Sequence, residues 1–166
     1  MVIDLDVPQE INDLINVQIM HEGRNANVYL QIASWFEEKN LSGFGSYFKK
    51  QAEDEISHKN KFIQYLNDRI NGKTKMLSIP EITVNLNKYS DVGILYVQLE
   101  TQTTQNIYSI AQKSLELGDF MTFQMIQWFI EEQRSEELEA MNFKTKLDLI
   151  AENGTGIILL NEEMEE

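Results

Sequence analysis

The stretch Gln51-Ala52-Glu53-Asp54-Glu55-Ile56-Ser57-His58 sets a carboxylate and an imidazole three residues apart, as Glu55 and His58. On a helix that spacing places both side chains on one face. The face continues through Phe44, Phe48 and Ala52 on one side, and through Phe62 and Leu66 on the other, with His58 or Lys59 in register between them. A charge inside an apolar stripe is costly unless it is paired or bound to a metal. Glu with neutral His is a good donor pair for iron, manganese or zinc.

Three further helices carry matching interruptions. The first is expected over about residues 8–38, opening at Pro8 with Asp6 as a cap candidate. Its face reads Ile11, Ile15, Gln18, Glu22, Ala26, Tyr29, Ala33, Phe36, and Glu22 is the charged member. Tyr29 follows about two turns along the same face. His21 points about 100° away from Glu22 and reads as a surface or interface histidine. A short turn over 39–43, with Ser42 as N-cap, makes the second helix antiparallel to the first. That second helix, about 43–71, holds Glu55 and His58 and meets a stop signal at Gly72. Residues 72–90 contain Pro80 and β-branched residues and have no helical period. About 18 residues at about 3.3 Å each can run the length of a bundle, so this segment is expected to be a crossover. The third helix, about 91–117, takes Asp91 as its N-cap. Its face is Tyr96 or Val97, Glu100, Thr103 or Thr104, Ile107 and Ala111, with Glu100 as the interruption. A tight Gly118-Asp119 turn leads to the fourth helix, about 120–150, whose face is Ile126, Phe129, Gln133, Glu136, Ala140, Phe143 and Leu147. Gly154 and Gly156 then precede an apolar run, 157–160, which predicts a short fifth helix over about 155–164 before an acidic tail. The expectation is an all-α chain: a four-helix bundle with a long crossover between its second and third helices, one domain across residues 1–166.

Composition narrows the function. The chain has 14 basic and 27 acidic side chains, a net charge of −13. It repels phosphate backbones and has no offsetting basic stripe, so nucleic-acid binding is not expected. No run of about 18 apolar residues exists to span a membrane. The start, Met1-Val2-Ile3-Asp4-Leu5-Asp6, is acidic and does not read as a signal peptide. The absence of cysteine excludes disulfides, thiolate metal sites and a cysteine nucleophile, and fits a reducing cytoplasm.

Glu22, then Glu55 with His58, then Glu100, then Gln133 with Glu136 thus interrupt four separate apolar stripes. Oxygen-rich donors with one imidazole suit iron or manganese. Glu22 with Tyr29 and Ala33-Ser34-Trp35, Glu55-x-x-His58, Glu100, and Gln127-Trp128-Phe129-Ile130-Glu131-Glu132-Gln133-x-x-Glu136 together resemble the bacterial non-haem ferritins. The likeness covers nearly the whole chain, and ferritin-like di-iron proteins are a well-known example of this architecture.

The resemblance implies a ferritin-like bundle assembled into a hollow homo-oligomer of twenty-four subunits, in the cytoplasm. It implies a ferroxidase that oxidises Fe(II) with dioxygen, or peroxide, at a di-iron centre and stores the iron as a ferric mineral. Glu22 and His58 would hold the first iron, Glu55 would bridge, and Glu100 would hold the second, with Gln133 and Glu136 beside it. Tyr29 matches a tyrosine that gives an electron or a hydrogen bond at the centre. A third iron site, present in some relatives, would use Asp54, Glu132 and Glu136. Here Ser135 stands where a further glutamate is common, and Asp54 is one methylene shorter than the usual residue. Haem is not expected, because Ile56 follows Glu55 where haem-binding relatives carry methionine. The alternative within the same fold is a di-iron peroxidase or oxygenase. The single Glu-x-x-His and the lack of a cysteine-rich electron-transfer module weigh against it.

Overall fold

Four long helices and one short one account for most of the chain in the computed structural model, which describes residues 5–165. They are α1 (Gln9–Glu37), α2 (Ser42–Asp68), α3 (Tyr89–Glu116), α4 (Phe120–Ile150) and α5 (Gly154–Glu165). The acidic start at residues 1–4 and the last residue of the tail lie outside the described residues.

The faces expected to be internal are internal. Every residue of the α1 stripe from Ile11 to Phe36 is buried, as is every residue of the α4 stripe from Ile126 to Leu147. His58 rather than Lys59 takes the inner position on α2, and Tyr96 rather than Val97 on α3. α1 packs along α2 and α3 along α4, with α1 against α3 completing the bundle.

The core is split. One apolar cluster contains Tyr29, Phe36, Phe44, Phe48, Tyr96 and Phe143, joined by ring contacts such as Phe36 on Phe44 at 4.5 Å between centroids. The other contains Ile11, Ile15, Ile19, Phe62, Ile107 and Phe129. In the sequence of each helix, the polar interruptions fall between these two halves.

The crossover is pinned to α1 by two asparagines. Asn12 donates to the Lys73 carbonyl (3.0 Å) and accepts from the Lys73 N–H (2.8 Å). Asn16 donates to the same carbonyl (2.8 Å) and accepts from the Lys75 N–H (2.7 Å). These bonds satisfy backbone groups that have no helix or sheet of their own. Further on, Ile79 packs against Gly23, where a Cβ would meet its Cδ1 at a tight 3.1 Å.

The helix starts differ from expectation. Ser42 is the first residue of α2, not its N-cap, and its hydroxyl donates to Glu165 (2.7 Å). The cap comes from α5 instead: the Phe44 N–H donates to Asn161 Oδ1 at 3.1 Å. Gly43 leaves room for this, since a Cβ there would stand 1.9 Å from the Asn161 carbonyl oxygen. Asp91 lies inside α3, where its carboxylate accepts from the Asn87 and Lys88 N–H groups (2.9 and 3.1 Å). α1 follows Pro8 without a side-chain cap, so Asp6 does not serve as one. The α3–α4 turn is as read: Gly118 takes φ +68°, which a side chain would disfavour, and Asp119 accepts from the Thr122 N–H.

Candidate metal centre

Each of the four long helices brings its interruption to the middle of the bundle. Glu22, Glu55 and His58 are all buried, and one ligand atom from each lies within 4.8 Å of the others. His58 stands between two carboxylates, with Nδ1 3.8 Å from Glu55 Oε2 and Nε2 3.8 Å from Glu132 Oε1. Its ring rests on Trp128 and Phe129. His58, Glu132 and Glu136 form a second group of the same tightness.

Glu100 is in neither group. Its oxygens are held from the side: Tyr29 OH donates to Oε1, and Gln133 Nε2 donates to Oε2 at 3.1 Å. The Gln133 amide also reaches Thr104 Oγ1 and the Glu100 carbonyl, both at 3.3 Å. Gln133 therefore positions Glu100. Asp54 is also in neither group; it is exposed enough to pair with Lys50 at 3.4 Å. Sequence reasoning gave no role to Gln18, which donates to Glu22 Oε1 at 2.7 Å. Its place four residues before Glu22 on the same face was the available signal.

His21 is half-buried, turned toward α3. Its Nε2 lies 3.0 Å from Thr103 Oγ1, and Asn25 Nδ2 donates to that same oxygen at 3.1 Å. The Thr103 hydroxyl proton goes to the Leu99 carbonyl, so the imidazole is the donor to Oγ1. Burial, with Arg24 nearby, pushes His21 down to about 4 and keeps the ring neutral.

The electrostatics are those of a site short of positive charge. Burial raises Glu22 well above the usual carboxylate range, and the neighbouring Glu55 adds to this. Burial pushes Glu55 and Glu136 up to about 8 each, with repulsion from Glu100 acting on both. Burial likewise raises Glu100, against the hydrogen bonds from Tyr29 and Gln133. Glu22 Oε2, Glu55 Oε2 and Glu136 Oε2 are buried with no hydrogen-bond partner among the described residues. A buried carboxylate oxygen without a donor costs free energy unless a proton or cation meets it. Glu22 and Glu55 gather on one side of the His58 imidazole and Glu136 with Glu132 on another, donor sets that fit divalent cations accepting oxygen and nitrogen.

Comparison with known proteins agrees with this geometry. Residues 12–150 match the ferritin-like domain family. A bacterial non-heme ferritin of Campylobacter jejuni is 30% identical over 154 residues, 93% of this chain and 92% of the relative. One from Escherichia coli is 25% identical over 158 residues, 93% of each. Among solved structures, an open pore ferritin from the archaeon Archaeoglobus fulgidus superposes with a TM-score of 0.93 at 26% identity, covering 96% of this chain and 98% of that one. With a five-helix bundle, carboxylates and an imidazole gathered at its centre, and a family match across most of its length, this chain belongs to the ferritin-like domain family, beside the bacterial non-heme ferritins.

Proposed function

We propose that the chain is the subunit of a cytoplasmic iron-storage shell and a ferroxidase, oxidising Fe(II) with dioxygen inside each bundle and laying down ferric mineral in the shell's interior. The observation that carries this reading is the pair of ligand groups that share His58, one with Glu22 and Glu55 and one with Glu132 and Glu136, in which Glu22, Glu55 and Glu136 each keep a buried carboxylate oxygen without a hydrogen-bond partner among the described residues.

Iron is the substrate. Glu22 and His58 hold the first ferrous ion, and Glu55 is shared with the second, on the Glu100 side. Gln133 and Tyr29 fix the orientation of Glu100 through the hydrogen bonds described above, and Glu136 supplies a further oxygen. His58 also faces Glu132, so Glu132, Glu136 and the second imidazole nitrogen offer a neighbouring stop for an ion. Asp54 would have to leave Lys50 to join it. Two ferrous ions held together can each give one electron to the same dioxygen. The protein's contribution is placement, and a field of carboxylates that stabilises the higher charge of the ferric product.

Aerobic addition of Fe(II) to purified apo-protein, followed by particle sizing and an iron count, tests the proposal. Rapid oxidation with retention of many irons per large particle is expected. Oxidation without retention, on a monomer or simple dimer, would favour a di-iron peroxidase or oxygenase.

A further inference from the structure

A line of three tyrosines leads away from the metal centre. Tyr29, whose hydroxyl donates to Glu100, meets Tyr96 edge-on at 5.6 Å between ring centroids. Tyr96 meets Tyr47 at 6.3 Å, and their hydroxyls are 3.2 Å apart. The Tyr47 hydroxyl donates to Glu139 Oε1 at 2.8 Å, on the exposed side of α4. Because the Tyr47 proton is committed to Glu139, Tyr96 is the donor in the Tyr96–Tyr47 pair. Gln51 Nε2 approaches the same Glu139 oxygen at 3.5 Å. Phe48 touches all three tyrosine rings and Phe143 touches two, so aromatic carbon fills the space around the line.

Core tyrosines commonly find a hydroxyl partner, and packing alone would explain one such bond. It does not call for three oxidisable rings in succession, each donating its phenol proton to a placed acceptor. Burial raises the Tyr96 and Tyr47 phenols far above their ordinary range, so neither ionises at neutral pH. An electron can leave such a ring at modest cost only if its proton leaves too. Here Glu100, Tyr47 and Glu139 are the respective acceptors.

We propose that Tyr96 and Tyr47 form a one-electron relay between Tyr29 at the metal centre and the protein surface at Glu139. This rests on the ferroxidase reading above. Reduction of dioxygen to two waters takes four electrons and four protons; the protons come from solvent water, and two ferrous ions at the centre give only two of the electrons. Tyr29 gives a third electron to the oxidant, and its proton passes to Glu100. Tyr96 then refills Tyr29, which recovers its proton from Glu100. The Tyr96 proton moves to Tyr47 as the Tyr47 proton moves to Glu139. Tyr47 next passes an electron and its proton back across their hydrogen bond, restoring Tyr96. A ferrous ion at the surface reduces the Tyr47 radical and becomes ferric, and Glu139 returns the proton. The net change is one electron carried inward from one Fe(II), with every tyrosine restored. A second passage completes the four.

Rapid-freeze paramagnetic resonance after dioxygen meets the Fe(II)-loaded oligomer tests this, with ring-deuterated tyrosine to mark the radical. The parent should show a tyrosyl signal that decays as further Fe(II) is consumed. In Tyr96→Phe the signal should stay on Tyr29 and decay about tenfold more slowly, with more peroxide released per dioxygen. Tyr47→Phe should trap it on Tyr29 or Tyr96, and Glu139→Gln should slow its decay. Phe143→Leu disturbs the same aromatic cluster off the line and should leave the decay unchanged. Decay in both tyrosine variants within about twofold of the parent, or equal slowing by Phe143→Leu, would overturn the relay. So would the absence of any tyrosyl signal in a parent that oxidises iron rapidly. Failure of the parent to oxidise Fe(II) rapidly would instead sink the ferroxidase reading on which the relay depends.

Discussion

At the scale of single residues, Glu55 is the most exposed to test, since the proposed function has both ions share it. Glu55→Ala removes a buried carboxylate from a crowded group, so the apo-protein should keep its fold. The rapid phase of Fe(II) oxidation should vanish, which stopped-flow absorbance measures directly. Oxidation of the first irons at the parent's rate would show that the centre lies elsewhere. Ser135→Ala should change that phase little, because serine is a poor iron ligand. The pH dependence of the apo-protein follows from Glu55 and Glu136, each held up to about 8 by burial against an ordinary carboxylate value of 4.5. Between those values the folded chain keeps protons that the unfolded chain has released. Their stabilising contribution is therefore whole below about pH 4.5 and is lost as the pH rises through about 8. The apo-protein's melting temperature should decline from about pH 6 to pH 9, and Glu136→Gln should flatten the decline. An equal slope in parent and variant would refute the assignment. A divalent cation must displace the same protons, so anaerobic Fe(II) addition near neutrality should release acid, readable in a weakly buffered solution.

At the scale of elements, the inner faces were legible because a helix's period is local: Glu22, Glu100, Gln133 and Glu136 could be placed by counting along their own segments. The ends were not. Ser42 has the chemistry of a cap, yet α2 is capped by Asn161, which stands 117 positions along the chain. No local pattern reports a partner that distant. The same limit hid the partner of His21, since Thr103 lies on another helix. It also hid how Glu100 is gripped, since Tyr29 and Gln133 come from α1 and α4. Loss of a helix cap typically costs about 1 kcal/mol. Asn161→Ala should lower stability by about that amount in urea denaturation, while Gly43→Ala, which would force Asn161 away, should cost more. If Asn161→Ala were neutral, α5 would merely lie against α2 without capping it.

At the scale of the whole molecule, large apolar side chains remain on the outside: Leu30, Tyr108, Leu138, Met141, Leu149 and Leu159 are exposed, Leu149 at 82%. Val28 and Ile110, by contrast, are buried, and Trp35 is half-covered against Phe36 and Tyr89. In the apolar run of α5, Ile157 and Leu160 dock on the subunit's own bundle while Ile158 and Leu159 do not. Apolar surface on several faces of one small bundle is the mark of a chain that packs against copies of itself. Light scattering at physiological salt should report a large closed particle, and a stable monomer would contradict this. The Asn161 cap also sets a schedule. A ribosome adds about 5–20 residues per second, so the start of α2 waits on the order of ten seconds after its own synthesis for the side chain that completes it. During that interval the Phe44 ring can find its partners on α1, α3 and α4 while its N–H still lacks the Asn161 acceptor, and a transcript cut short before codon 161 yields a bundle that never acquires the fastening.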